Sequence, residues 1–348
     1  MIFSRGSRAI TRIATLAKPP RLSALPRITA AFAFAFAMAT LFSLSAGAQN
    51  YPTKPIRMIV PFPPGGGSDV TGRVVAAALG ERVGTQVIVD NRAGAGGVIG
   101  SELAANASPD GYTLLLVSLA HTVNPWLYDL KGRYHPIDSF AAVAAIAASP
   151  VVLAVNPTLP VQSVSDLVAL AKAQPGRLFY ASAGVGSVTH LAGELFKYTA
   201  KVDMVHVPFK GAGPAMLDVM SGHTNLFFGG LLATVSQVRA GKLRALGVGS
   251  IKRNAILPDV PSISEAGVAG YETVNWFALL APFNTPTSIV ERLHREVSAV
   301  QNRPEVQKQF DADGATVLRM TPAEFRAYMV ADMKKWERVV KEGSIKAQ

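Results

Sequence analysis

The fold is decided by the stretch Ile56-Arg-Met-Ile-Val-Pro-Phe-Pro-Pro-Gly-Gly-Gly-Ser-Asp-Val-Thr-Gly-Arg73. This stretch predicts a short apolar strand, a glycine loop and the start of a helix. Glycines let the backbone come close to a ligand, and the free N–H groups at a helix start carry partial positive charge. The pattern is therefore typical of a loop that binds an anion.

A second stretch follows the same pattern. It is Ser182-Ala-Gly-Val-Gly-Ser-Val-Thr-His190, and it comes after another apolar segment. Two such loops facing each other would suit a small carboxylate, because each can offer backbone N–H groups to an anion.

Apolar segments alternate with helical segments along the chain, which is the pattern of an α/β protein with a largely parallel sheet. Parallel strands end at one edge of a sheet, where open α/β folds bind their ligands, so we expect the loops after the first three strands there. The predicted strands are 56–62, 86–90, 113–118, 141–155, 178–181, 204–207, 225–228, 245–248 and 271–280. The predicted helices are 69–83, one ending near 106, 165–172, 188–199 and two after 287.

The length predicts two lobes, since the 300 residues from 49 to 348 are typical of two domains of about 150 residues each. We interpret the long apolar stretches 141–155 and 271–280 as strands that cross between the lobes. Lobe 1 would comprise residues 49–150 and 281–348. Lobe 2 would comprise residues 151–280, including the crossing strands at both ends. Each lobe would contain a mostly parallel sheet with flanking helices.

The first 48 residues predict a signal peptide for the general secretory route. They contain basic residues and no acidic ones, an almost wholly apolar run from Ile28 to Leu44, and the small residues Ala46-Gly47-Ala48. Cleavage after Ala48 would release a periplasmic protein. A membrane anchor is the alternative, although the apolar run is marginal against the ~20 residues that a spanning helix needs.

Charge and composition exclude several classes of function. Six of the 34 Lys and Arg residues lie in the predicted signal, so 28 remain against 23 Asp and Glu, a net charge of +5. No cluster of basic residues with interleaved aromatic residues indicates nucleic-acid binding. The chain has no cysteine, so it forms no disulfides and depends on core burial for its stability.

The sequence contains few catalytic signatures. Gly66-Gly-Ser-Asp-Val70 lacks the last glycine of a nucleophile elbow, and no lysine follows a glycine loop as in a phosphate-binding P-loop. The histidines have no metal-ligand spacing. We therefore expect no enzyme activity, no metal and no cofactor.

Four polar residues allow two interpretations, and Ser187 and His190 are considered as a pair. Ser187 and His190 could be nucleophile and base, but we favour a helix cap by Ser187, because no suitably spaced carboxylate would orient the imidazole. Asp69 could stabilise the helix dipole or contact the ligand, and both stay open. Lys210 is either a cationic ligand contact or an exposed loop lysine.

Aromatic residues at strand ends could form the wall of a pocket, although core packing is favoured for each of them. These residues are Phe62, Phe209, Phe228 and Trp276.

The chain resembles the Bug-type periplasmic substrate-binding proteins of tripartite tricarboxylate transporter systems. The resemblance covers essentially all of residues 49–348, with the motifs in the expected order. The matching segments are 51–57, 60–69, 89–97, 108–112, 180–194, 206–211 and 257–261.

This resemblance implies a two-lobed, hinged, periplasmic-binding-protein-like fold that closes over a small carboxylic acid. It also implies ligand contacts from both lobes. In the first lobe the implied residues are Gly66, Gly67, Ser68, Asp69 and Ser118; in the second they are Ser182, Gly186, Ser187, Thr189, His190, Phe209 and Lys210. Leu119 and His121, where many relatives have a small polar residue, would favour an apolar or aromatic acid.

The sequence thus predicts a monomeric periplasmic solute-binding protein that captures a small organic carboxylate and delivers it to the membrane permease subunits of a tripartite tricarboxylate transporter. One alternative is a sensor protein that presents its ligand to a membrane histidine kinase. A more distant alternative is a periplasmic hydrolase that uses Ser187 and His190.

Overall fold

The computed structural model describes residues 51–312, 314–343 and 345. The predicted signal peptide, its cleavage site and the membrane-anchor alternative lie outside these residues. Within the described part of the chain, no helix has the length and apolar character needed to cross a membrane.

Ten strands and ten α-helices alternate along the described residues, which confirms the predicted α/β architecture. The strands are β1 (Ile56–Val60), β2 (Val87–Asn91), β3 (Thr113–Ser118), β4 (Phe140–Val155), β5 (Phe179–Ser182), β6 (Val205–Pro208), β7 (Leu226–Gly230), β8 (Arg244–Val248), β9 (Val274–Pro282) and β10 (Thr316–Val317). The helices are α1 (Gly67–Val83), α2 (Val98–Ala105), α3 (Ala120–Leu127), α4 (Val164–Ala173), α5 (Val188–Ala200), α6 (Ala212–Met220), α7 (Leu231–Arg239), α8 (Thr287–Gln301), α9 (Pro304–Ala312) and α10 (Pro322–Glu342).

The sheet is mixed, with order β2-β1-β3-β9-β4-β7-β5-β6, and β8 and β10 also pair with β4. Its flanks are parallel, because β1 pairs in parallel with β2 and β3, and β5 with β6 and β7. Its centre is antiparallel, because β9 runs against β3 and β4, and β4 runs against β7 and β8.

Strand β4 connects the two flanks. Its residues 140–150 pair with β9, and its residues 151–155 pair with β7 and β8. We call β1, β2, β3, β9, β10 and the first part of β4 the β1 part, and β5 to β8 with the end of β4 the β5 part. Most residues of β4 are small or branched apolar side chains that are buried, as expected for a strand covered on both faces. The exact limits of the two lobes stay a prediction.

The largest buried cluster includes residues from both parts of the sheet. It joins Leu115 of β3 and Trp276 of β9 to Leu153 of β4 and Phe228 of β7. Helix α10 adds Phe325 to the same cluster, and the Phe325 ring meets Trp276 edge to face, with centroids 5.6 Å apart. Long apolar strands and an amphipathic final helix thus build one core cluster that spans both parts of the sheet.

Several helices differ from the sequence-based expectation. The segment after β3, expected as a loop, forms α3 with Pro125 inside it, and the chain after 287 forms three helices where two were predicted. Helices α6 and α7 were also not predicted. Asn124-Pro125 is a turn signal, but α3 is short and its residues 120–124 are buried, so packing outweighs the missing proline donor.

Candidate functional site

The first glycine loop lies between β1 and α1. Gly66 precedes the helix in an extended conformation, and no described side chain caps the first turn. The N–H groups of this turn therefore point out of the helix with the positive end of its dipole. The register of β1 and β3 brings this loop and the end of β3 to one edge of the sheet.

The Asp69 side chain stabilises this loop by hydrogen bonds. Its carboxylate accepts hydrogen bonds from the Gly65 N–H at 2.9 Å, from Asn91 Nδ2 at 3.0 Å and from Arg73 Nε at 3.1 Å. Burial acts to raise the pKa of Asp69, but the hydrogen bonds from Arg73, Gly65 and Asn91 outweigh it and hold that pKa below its usual value. Asp69 is thus an ionised, fully engaged support of the loop.

Ser118 lies close to the start of α1. Ser118 pairs with Phe277 in the β3–β9 ladder. The Phe277 ring lies against Gly67, the first residue of α1, since a Cβ atom added to Gly67 would lie 3.3 Å from the ring. Ser68 and Ser118 are both buried, and their hydroxyls form no hydrogen bond with any described residue. These two hydroxyls are therefore free to contact a ligand at this edge.

The second glycine loop, between β5 and α5, is held by its own hydroxyl groups. Ser187 caps α5 by accepting the His190 N–H, as predicted, and donates to the Gly184 carbonyl at 2.6 Å. Thr189 Oγ1 accepts the Ala183 N–H at 2.7 Å. Ser182 Oγ accepts the Gly184 N–H at 3.1 Å. These three predicted ligand contacts thus shape the loop.

Two stacked imidazoles lie behind this loop. His190 Nδ1 accepts the Gly186 N–H at 3.2 Å, and His206 Nε2 lies 2.6 Å from Ser182 Oγ. The two ring centroids are 4.1 Å apart. Burial lowers the pKa of His190 to about 4 and, with the neighbouring His190, that of His206 to about 3. Both rings are neutral at pH 7 and act as hydrogen-bonding supports.

The Ser187 side chain does not reach the His190 ring. Its oxygen bonds the His190 backbone N–H, the Gly184 carbonyl and the Thr189 hydroxyl, while the ring Nδ1 is occupied by Gly186. The pair therefore has the geometry of a helix cap and not that of a nucleophile with its base.

Two residues that the sequence did not indicate each bond a loop, one between β2 and α2 and the other between β5 and α5. Asn124 donates to the Gly96 carbonyl at 3.2 Å, and the Tyr128 hydroxyl donates to the Val185 carbonyl at 3.1 Å. Both come from the C-terminal turn of α3 and the residue after it. The only available signal was their spacing of four residues, which places them on one helix face.

The remaining predicted residues separate into exposed and buried ones. Phe209 packs at the edge of a core cluster and its N–H donates to the Ser182 carbonyl at 2.9 Å. Lys210 is exposed, with no ion pair to a described residue. His121 is buried, with its Nε2 atom 2.9 Å from the Pro136 carbonyl and its Nδ1 atom 3.3 Å from Ser101 Oγ, so neighbouring residues occupy both ring nitrogens. Phe228 and Trp276 are fully buried, which confirms core packing for both.

Two surface cavities lie away from these loops. One of about 590 Å³ lies between the end of α1 and the start of β2, and one of about 350 Å³ lies between α10 and the start of β9. Leu119, which was expected to favour an apolar or aromatic acid, lines the second cavity; the other lining residues are not predicted ligand contacts. Among the described residues, no three His, Asp or Glu side chains are grouped as metal ligands would be.

Comparison with known proteins gives the family. The family model of the tripartite tricarboxylate transporter family receptor matches residues 71–345. The protein BugT of Bordetella pertussis is 37% identical over 300 residues, which cover 86% of this chain and 92% of BugT.

Solved structures agree with this match. The Rhodopseudomonas palustris protein Rpa4515 with adipate is 36% identical, with a TM-score of 0.81 over 85% of this chain and 99% of that one. MatC of the same organism, with bound malate, is 30% identical, with a TM-score of 0.78 over 83% of this chain and 100% of that one. The chain belongs to the family of tripartite tricarboxylate transporter receptors, which are periplasmic solute-binding proteins.

Proposed function

We propose that this protein captures a small organic carboxylate between its β1 and β5 parts and delivers it to the permease of a tripartite tricarboxylate transporter. The observation that carries the proposal is the pair of glycine loops, each of which follows a parallel strand and leads into a helix N-terminus. Helix N-termini are ready sites for an anion. Adipate and malate in the two structural relatives are small dicarboxylates of the proposed class.

The contacts divide the predicted site into ligand contacts and supports. The first-turn N–H groups of α1 and the free hydroxyls of Ser68 and Ser118 are the proposed contacts in the β1 part. In the β5 part, the first-turn N–H groups of α5 at Val188 and Thr189 are the proposed contacts, since the Ser187 cap uses the third. Asp69 and His190 support the loops, and Lys210 would attract anions at long range.

We also propose that the protein is a binding protein and not an enzyme. A hydrolase would need the Ser187 hydroxyl to transfer its proton to a base. In this structure the hydroxyl donates to the Gly184 carbonyl, and the Nδ1 atom of His190 accepts the Gly186 N–H. A carboxylate ligand would accordingly be released unchanged.

A thermal-shift screen of the periplasmically expressed protein tests the proposal. The panel contains adipate, malate, tricarboxylates, amino acids and aromatic acids. An acid at 100 times its dissociation constant should add about 2.7 kcal/mol, which raises the melting temperature by several degrees. A saturable shift with one class of acid supports the proposal. No shift with any acid, for folded protein freed of co-purified ligand, contradicts it.

A further inference from the structure

The C-terminal turn of α3 contacts a loop from each part of the sheet. Asn124 donates to the Gly96 carbonyl, in the segment between β2 and α2. Tyr128 donates to the Val185 carbonyl, in the loop between β5 and α5. The two residues are joined by the bond from the Tyr128 N–H to the Asn124 carbonyl, 2.9 Å long. One short turn thus bonds both loops at once.

The Tyr128 ring lies between two glycine backbones. A Cβ atom on Gly96 would lie 3.0 Å from Tyr128 Cε2, and one on Gly186 would lie 3.2 Å from the same atom. Both glycines have positive φ, 62° and 76°. The two loops can approach the ring this closely because neither carries a side chain there.

This contact depends on the separation of the two parts of the sheet. Tyr128 follows α3, which packs on β3 in the β1 part, whereas Val185 follows β5 in the β5 part. When the two parts move apart, the hydroxyl must exchange the Val185 carbonyl for water. The hydrogen bond would be lost in an arrangement with the two parts further apart, so it favours the arrangement of this structure over a more open one.

We propose that Tyr128 is a positioning residue that latches the second glycine loop in the closed protein and slows release of the bound acid. The effect on release of the acid rests on the proposed function, but the latch itself can be measured without any acid. A single neutral hydrogen bond changes an equilibrium by roughly threefold to tenfold. We expect the change mainly in the dissociation rate, because the latch forms after the acid has entered.

The experiment measures the distance between the two parts directly. The chain has no cysteine, so the exposed substitutions Arg295→Cys on α8 and Lys172→Cys on α4 give two unique sites for spin labels. Pulsed electron paramagnetic resonance then gives the distance distribution, without acid and with adipate or malate in excess. The test variant is Tyr128→Phe. The matched control is Tyr112→Phe, whose hydroxyl is bonded to the Thr53 N–H in the β1 part at 2.9 Å.

The latch predicts that Tyr128→Phe lowers the ratio of short to long distances by threefold to tenfold, whereas Tyr112→Phe leaves it unchanged. With a bound acid, Tyr128→Phe should raise the dissociation rate by a similar factor and change the association rate little. An unchanged ratio in Tyr128→Phe overturns the proposal, whatever happens to the melting temperature. A single long distance in the unsubstituted protein under all conditions also overturns it. Failure of every acid to bind contradicts the proposed function alone, since the acid-free ratio still decides the latch.

Discussion

Asp69 shows how a residue close to a ligand site can act by shaping it. Its carboxylate accepts hydrogen bonds from the Gly65 N–H, Asn91 and Arg73. These bonds hold the loop that presents the first-turn N–H groups of α1. A carboxylate facing the ligand would repel an acid, whereas here Arg73 and the hydrogen bonds neutralise it. This arrangement resolves the apparent conflict between an acidic residue and an anion site.

We predict that Asp69→Asn weakens acid binding by at least tenfold, because the amide cannot accept from all of these donors at once. The free energy of unfolding should fall by about 1–3 kcal/mol, as for a buried hydrogen-bond partner that is removed. Isothermal titration calorimetry and urea denaturation measure the two effects. Asp259→Asn, on the exposed surface, is the control and should change neither. Unchanged binding in Asp69→Asn would show that acid binding does not depend on the hydrogen bonds of the Asp69 carboxylate.

The Ser187 cap leads to a prediction about stability and chemistry together. Ser187→Ala removes the bond to the His190 N–H and should cost about 0.5–2 kcal/mol of unfolding free energy. Ser187→Thr retains a capping hydroxyl and should lose less unfolding free energy.

Chromatography of an acid incubated with the unsubstituted protein should recover the acid unchanged. Turnover that is abolished by Ser187→Ala would instead establish a hydrolase.

Helix α5 makes the second loop sensitive to pH through the residues of its first turn. Burial lowers the pKa of His190 to about 4 from a value near 6.5 in the unfolded chain. The unfolded chain therefore binds more protons than the folded one between these values, and stability falls as the pH drops from about 6.5 towards 4. Above pH 6.5 this effect is absent.

We predict that His190→Asn, which can still offer an acceptor to the Gly186 N–H, reduces the loss of unfolding free energy between pH 7 and pH 5 by about 1–2 kcal/mol. Urea denaturation at the two pH values measures the loss. The control is His223→Asn, since the His223 side chain is 76% exposed, and it should change the free energy of unfolding at pH 7 by no more than about 0.5 kcal/mol. An equal loss in His190→Asn and the unsubstituted protein would contradict a buried, neutral His190.

The elements were predictable where the local pattern is strong. Strand β3 has the predicted bounds, Thr113–Ser118, and the apolar run of β4 was found to within one residue. Helix α3 was missed because Asn124-Pro125 is a turn signal that its packing overrides. Asn91 and His206 could not be assigned to their loops, since each reaches its partner from a neighbouring strand and the strand order was unknown.

At the scale of the whole molecule, the largest core cluster joins both parts of the sheet through β4 and α10. Any separation of the two parts would therefore occur around strands that stay packed, as in hinge motion between domains. A chain without cysteine relies on this core for its stability.

We predict that Phe325→Ala on α10 lowers the free energy of unfolding by about 3–5 kcal/mol, because its fully buried ring would leave a cavity against Trp276. Circular dichroism and tryptophan fluorescence should still report one coincident transition. Phe283→Ala is the control, since that ring is 59% exposed, and its effect should stay within about 0.5 kcal/mol. A small effect of Phe325→Ala would show that α10 contributes little to the core.

The proposed function requires that an acid binds between the two helix N-termini. A crystal structure of the protein with the acid identified in the thermal-shift screen shows whether the acid binds there. We predict carboxylate oxygens within about 2.7–3.2 Å of the first-turn N–H groups of α1 and α5. An acid bound in another place, such as the cavity between α1 and β2, would contradict the proposed function.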